Sequence, residues 1–272
     1  MTNKAGAGTL LRATGAIASA LGARTGQRRS RKFLLPAMLG LLAAGGGAAV
    51  AYAATDGKDV SPADRAAIEA VVHDYILANP EIIPQAIERL KAKQTAASID
   101  EHRSELETPY QGAWEGADQP KVTLVAFMDY ACGYCRAALP HIAQLVKDNP
   151  DLRVVYRELP IIADGSANAA KVALMAAREG KFMAFHKAMY AAEGVSSDAV
   201  KKAVRTAGLD PDKADAAIAS DNGEDEFMGN IRLAQALGAE GTPLFVVGDQ
   251  IFNGLVGPDV LQKAIEKARD EG

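Results

Sequence analysis

The stretch KVTLVAFMDYACGYCRAALP, residues 121–140, constrains the fold more than any other part of the chain. An apolar run of strand length passes without a linker into a helical pattern, and both cysteines, Cys132 and Cys135, sit at the junction. LRVVYREL, residues 152–159, supplies a second apolar strand. A strand, helix, strand order makes the two strands parallel neighbours joined by a crossover helix. Next come helical patterns without strands: SANAAKVALMAAREG, KFMAFHKAMYAA, SSDAVKKAVRTAG, PDKADAAIAS and EFMGNIRLAQALG. PLFVVGDQIFNG, with a Gly-Asp turn signal between two short apolar runs, predicts a β-hairpin, and GPDVLQKAIEKARDEG closes the chain as an amphipathic helix.

Two further segments precede this α/β region. Residues 1–53 carry seven basic side chains and no acidic ones, and FLLPAMLGLLAAGGGAAVAYAAT, residues 33–55, has no charge. This reads as an export segment, with a small-x-small site at Ala51-Tyr52-Ala53, or as an uncleaved anchor of residues 33–55 in the inner membrane. In either case the basic side stays in the cytoplasm and the rest crosses. In SPADRAAIEAVVHDYILANP, Ser61 caps a helix and Pro62 takes its first position. Ile68, Val71, Val72, Tyr75 and Ile76 recur on one face of it; Ile83, Ala86, Ile87 and Leu90 do so on a second helix. These two stripes are too few to enclose a core. They pack on the chain's own α/β part or on copies of themselves, giving a homo-oligomer through residues 61–107. Residues 91–118 are polar and carry Pro109 and Gly112, which marks a boundary. Three parts are expected: 1–53, basic region and signal or anchor; 54–107, helical arm; and 108–272, α/β domain with a helical insertion at about 160–237.

Beyond residue 53 the chain has an acidic excess, which argues against nucleic acid as a partner, since that requires clustered Lys and Arg. The cysteine spacing narrows the chemistry. A structural disulfide across so short a loop gains only roughly 2 kcal/mol in the chain-entropy model. Structural zinc needs four ligands, and His73, His102, His141 and His186 lie 29 or more residues apart. Inert thiols fit the cytosol better than an oxidising compartment. A cysteine at a helix N-terminus, by contrast, has its thiolate stabilised by free amides and the helix dipole. Cys132 is then an exposed nucleophile, and Cys135, one turn on, resolves the mixed disulfide. Two other readings use the same features: capture of Cu(I) by the two thiolates, or a chaperone acting through the N-terminal stripes.

Strand, CxxC at a helix start, helical insertion and Thr-Pro before a hairpin together resemble the thioredoxin superfamily. FMDYACGYC with EGTPLFVVGDQIFNG more closely resembles the DsbA-like thiol–disulfide oxidoreductases of the bacterial envelope, over residues 108–272. The resemblance implies a thioredoxin-like fold with an inserted helical subdomain, preceded by an N-terminal helical segment. It implies a Cys132–Cys135 redox disulfide with no cofactor or metal, supported by Gly133, Tyr134, Thr242 and Pro243, with a cis bond at Thr242-Pro243. It further implies a periplasmic location, cysteine-containing exported proteins as substrates, and a membrane redox partner. Pro140 matches the helix proline of thioredoxins. The dipeptide departs from DsbA: Tyr134 stands where DsbA has a histidine, which removes a positive charge and implies a milder potential. VVHDYILANPEIIPQAIERL is similar to the N-terminal arms of ScsC-like oligomeric relatives, whose geometry suits isomerase or reductase work. Asp129, three residues before Cys132, is either a proton handler or a solvated acid at a strand end.

Overall fold

A computed structural model describes residues 61–192, 194–221 and 223–271. The export segment and its cleavage or anchoring residues lie outside the described residues. Two helices come first, α1 (Pro62–Ala78) and α2 (Ile82–Glu107). The Ser61 hydroxyl accepts from the Asp64 amide to cap α1, and Pro62 fills the first position, where no amide partner is lost.

A short strand β1 (Trp114–Gly116) leads to β2 (Val122–Met128), helix α3 (Gly133–Asp148) and β3 (Leu152–Glu158). Four helices follow: α4 (Ser166–Arg178), α5 (Phe182–Ala191), α6 (Ser197–Thr206) and α7 (Pro211–Ala219). Then come α8 (Glu224–Ala236), the hairpin β4 (Leu244–Val247) and β5 (Gln250–Asn253), and α9 (Pro258–Glu271). The sheet order is β1-β3-β2-β4-β5, with β2 and β3 parallel and every other pairing antiparallel.

The central strands are largely apolar because both faces are covered, and successive side chains serve opposite cores. Leu124, Ala126, Met128, Val154, Tyr156, Phe245 and Val247 pack with α3, α9 and the α4–α7 insertion. Val125, Phe127, Val155, Leu244 and Val246 pack with Ile99 and Leu106 of α2 and Leu233, Ala234 and Leu237 of α8.

The helix expected to fade after Leu90 instead continues unbroken to Glu107. Its second half looks polar because just two of its side chains, Ile99 and Leu106, are buried; seven residues apart, they share one face. Polar bonds add to this seam. Ser98 Oγ donates to the Ala236 carbonyl, and Arg103 reaches Asp249 Oδ1 at 2.5 Å and the Gly248 carbonyl at 3.4 Å in the β4–β5 turn. Arg157 of β3 donates to the carbonyls of Glu105, Leu106 and Thr108 at the end of α2. In contrast, α1 buries no residue, and Ile68, Val71, Val72, Tyr75, Ile83, Ile87 and Leu90 stay exposed.

Candidate active site

The three loops at one end of the sheet follow from strand order. The β2–α3 turn carries the cysteines, the loop after β3 lies on one side of it, and the segment entering β4, antiparallel to β2, lies on the other. Cys132 is the N-cap residue of α3, and its sulfur accepts the Cys135 amide at 3.4 Å. As a thiol it also donates to the Thr242 carbonyl at 3.2 Å. Both cysteines are free. Contrary to the expectation of an exposed sulfur, Cys132 is only 6% accessible, with the Thr242 carbonyl of the segment entering β4 against it; Cys135 is at 0%. Burial pushes the Cys135 thiol well above the ordinary cysteine range, and a backbone hydrogen bond with Asp129 opposes that shift in part.

The residues expected to support this pair are placed as follows. Gly133 and Tyr134 are exposed, Tyr134 at 67%. Thr242-Pro243 is cis, Thr242 is buried, and the Pro243 carbonyl accepts from the Gly254 amide. Tyr134, Glu240, Gly241, Thr242, Asn253 and Gly254 line an open depression of about 260 Å³ beside the sulfur. Pro140 lies inside α3 and leaves the Arg136 carbonyl without its usual helical donor. Arg136 turns sideways: its Nε donates to the Tyr190 carbonyl at 2.8 Å and ties α3 to α5. Among the described residues no group of three or more His, Cys, Asp or Glu is placed to hold a metal ion.

Asp129 is not the solvated acid of a strand end. It is 1% accessible and accepts four hydrogen bonds. Its Oδ1 takes the Ala131 amide and the Ser166 hydroxyl, both at 2.7 Å; its Oδ2 takes the amides of Ile161 and Ile162, both at 2.8 Å. All four partners donate, so the group fits as a carboxylate and not as a proton donor. A second buried acid escaped the sequence reading. Tyr130 Oη donates to Glu158 Oε1 at 2.9 Å and stands 3.1 Å from His186 Nδ1, with the Tyr190 ring 4.9 Å from that of Tyr130. The signal was an acid at the end of a strand, Glu158, and a histidine inside a helical apolar run, His186.

Burial raises the Glu158 carboxyl well above 4.5, against the Tyr130 hydrogen bond, and lowers His186 from 6.5 to about 3. His186 is neutral when folded where the unfolded chain is charged, so stability present above pH 6.5 is lost as pH falls toward 3. Glu158 keeps a proton that the unfolded chain releases, so stability present below pH 4.5 is lost as pH rises through its folded value. Between the ordinary values of the two groups, 4.5 and 6.5, each state holds one proton on the pair and the dependences cancel. A Glu158→Gln variant is therefore expected to gain on the wild type as pH rises above 4.5, at most about 1.4 kcal/mol per pH unit, in urea unfolding. Parallel pH profiles for the two proteins would contradict this.

Comparison with known proteins follows the same lines. The family described as DSBA-like thioredoxin domain matches residues 123–266, and the Copper resistance protein ScsC N-terminal domain matches residues 64–97, across α1 and the first part of α2. A thioredoxin-like oxidoreductase from Silicibacter pomeroyi is 38% identical, covering 58% of this chain and 91% of its own, with a TM-score of 0.56. A periplasmic thioredoxin-like protein from Salmonella enterica serovar Typhimurium is 29% identical, covering 62% and 95%, with a TM-score of 0.54. The thiol-disulfide exchange protein alpha-DsbA2 of Wolbachia pipientis is 27% identical, covering 65% and 97%, with a TM-score of 0.59. Among curated sequences, the Na(+)/H(+) antiporter NhaA 3 of Salinispora tropica is 28% identical over 157 residues, 56% of this chain. The chain spans 24% of the length of the curated relatives it matches. The DSBA-like match covers more than half of the chain and agrees with its sheet order and its cysteines at a helix start: this protein belongs to the DSBA-like thioredoxin domain family.

Proposed function

We propose that this protein is an exported thiol–disulfide oxidoreductase that exchanges disulfides with cysteine-containing proteins. The observation that carries the reading is the Cys132 sulfur at the mouth of α3, receiving an amide from within the helix, with Cys135 buried directly below. The Cys132 thiolate attacks a client disulfide; one client sulfur joins Cys132 and the other leaves as a thiolate. Cys135, after giving up its proton, attacks the Cys132 sulfur, closing Cys132–Cys135 and releasing the second client thiolate. Two electrons pass to the client, and the reverse sequence oxidises it. Gly133 leaves the surface next to Cys132 without a side chain, Tyr134 borders the depression, and the Thr242-Pro243 segment offers its backbone to an extended client strand. A membrane redox partner that resets the disulfide belongs to the same proposal. Wild-type rates of insulin reduction and of scrambled-protein refolding no better than those of Cys132→Ser would remove this reading.

Export draws on the basic, then apolar, sequence before residue 55 and on the periplasmic neighbour at 29% identity. No helix among the described residues is long and apolar enough to cross a membrane. Isomerase or reductase work, as opposed to simple oxidation, draws on the arm. Ile68, Val71, Val72 and Tyr75 form an exposed apolar stripe at helical spacing, in the region matching the ScsC N-terminal domain. Chains pairing through it would place two or more reactive sulfurs in one particle. Light scattering on residues 54–272 is expected to give a multiple of the chain mass, reduced to one chain by Val71→Glu with Tyr75→Glu. A wild-type monomer would contradict the oligomer.

A further inference from the structure

We infer that the cavity between α3 and α5 is a binding site for a small phenol, whose hydroxyl donates a hydrogen bond to Nε2 of His186. The site lies apart from the reacting sulfurs and does not depend on the disulfide reading above. A space of about 240 Å³ opens there, bordered by α3, α5 and strands β1 and β3. Tyr156 and His186, 3% and 1% accessible, make its floor. Leu139 and Met183 are half-buried walls, and Pro140 stands exposed at the rim.

The floor carries a polar atom that nothing answers. His186 Nδ1 stands 3.1 Å from Tyr130 Oη, while Nε2 of the same buried ring has no hydrogen-bond partner. Tyr130 has a single proton and gives it to Glu158, so Nδ1 must donate to the Tyr130 oxygen. Burial keeps the ring neutral, and Nε2 is left with a lone pair. A buried acceptor in that state costs free energy until a donor reaches it.

Water answers it poorly, because a held water needs roughly two to four polar partners. The other acceptor bordering the cavity, the Glu115 carboxylate, already takes the Tyr156 hydroxyl at 2.5 Å. What remains is apolar or aromatic. The Tyr156 and His186 rings lie 4.5 Å apart between centroids, and with the Met183 thioether they offer the contacts that a flat ring takes. An ammonium as the donor would cost far more to bury than a hydroxyl. The complement is therefore an aromatic ring with one hydroxyl.

The test titrates the intact soluble protein, carrying isotope-labelled histidine for NMR, with phenol and with anisole, which has the same ring and no donor. Phenol is expected to bind with a Kd on the order of 1 mM and to shift the Nε2 signal of His186, with anisole about tenfold weaker. His186→Phe should abolish the phenol site. Since that change also breaks the Tyr130 bond, a second variant leaves His186 in place: Ala143→Phe, at an exposed position of α3 on the rim, narrows the mouth. It should lose phenol while its histidine signals match those of the unliganded wild type. Anisole binding as tightly as phenol, phenol binding without moving the His186 signal, no phenol binding at all, or wild-type binding by Ala143→Phe would each overturn the site.

Discussion

A Cys135→Ser variant is expected to stall with its client attached. In the proposed cycle the buried sulfur of Cys135 performs the second displacement, and a serine hydroxyl does not attack a disulfide under the same conditions. The first displacement needs Cys132 alone, at the rim of the depression bordered by Tyr134 and Thr242. Incubated with a disulfide-bonded protein, Cys135→Ser should accumulate a covalent adduct that dithiothreitol releases, and its turnover should fall on the order of 10³-fold or more. Cys132→Ser should lose turnover equally but form no adduct, because the remaining thiol is wholly buried and burial holds its proton on. Non-reducing electrophoresis separates the two outcomes. Adducts formed equally well by Cys132→Ser would reverse the assigned order of attack.

The second large effect is expected far from the sulfur. Arg157 is 5% accessible, and its guanidinium joins Glu226 Oε1 at 3.0 Å, Asn230 Oδ1 at 3.2 Å and three carbonyls at the end of α2. Burial pulls its pKa down, and Glu226 and Glu105 counter that pull. The charge also meets the negative end of the α2 dipole. Arg157→Ala strands Glu226 and those carbonyls at once, and breaking a buried pair in this way costs about 3–5 kcal/mol. That is a large share of the total stability of an ordinary domain, roughly 5–15 kcal/mol. Denaturant unfolding should show the loss, and hydrogen exchange should show residues 95–107 opening ahead of the sheet. Arg157→Lys should rescue only part, since one ammonium does not span a fork of partners on two sides. A loss under 1 kcal/mol for Arg157→Ala would mean that the Ile99 and Leu106 contacts alone fasten α2.

What could be read ahead of the structure was whatever depends on nearest neighbours. The apolar runs at 121–129 and 152–159 became β2 (Val122–Met128) and β3 (Leu152–Glu158), parallel as the intervening helix required. The Gly-Asp turn signal became the bend between β4 and β5. The rest depends on contacts between distant residues. β1 is three residues long, too short for any periodicity, and is defined by pairing with Val154 and its neighbours. The second half of α2 hid its helix because only two of its side chains, Ile99 and Leu106, are buried. Asp129 was identified beside the cysteines, but its role comes from partners at 161, 162 and 166, more than thirty positions away in the chain. Glu158 and His186 sit 28 residues apart in sequence, and the Tyr130 hydroxyl stands within hydrogen-bond distance of both. The place of the cysteine pair at a helix start was legible because both residues and the first turn lie within four residues.

The most direct measurement is a redox titration of the intact soluble protein in glutathione buffers of graded potential, quenched with acid and weighed by mass spectrometry. The expected result is one two-electron transition between the dithiol and a form lacking two hydrogen atoms, with the bond mapped to Cys132 and Cys135. A protein that stays a dithiol across the range, or that collects glutathione on either sulfur without ever closing the ring, would contradict a disulfide-exchange enzyme.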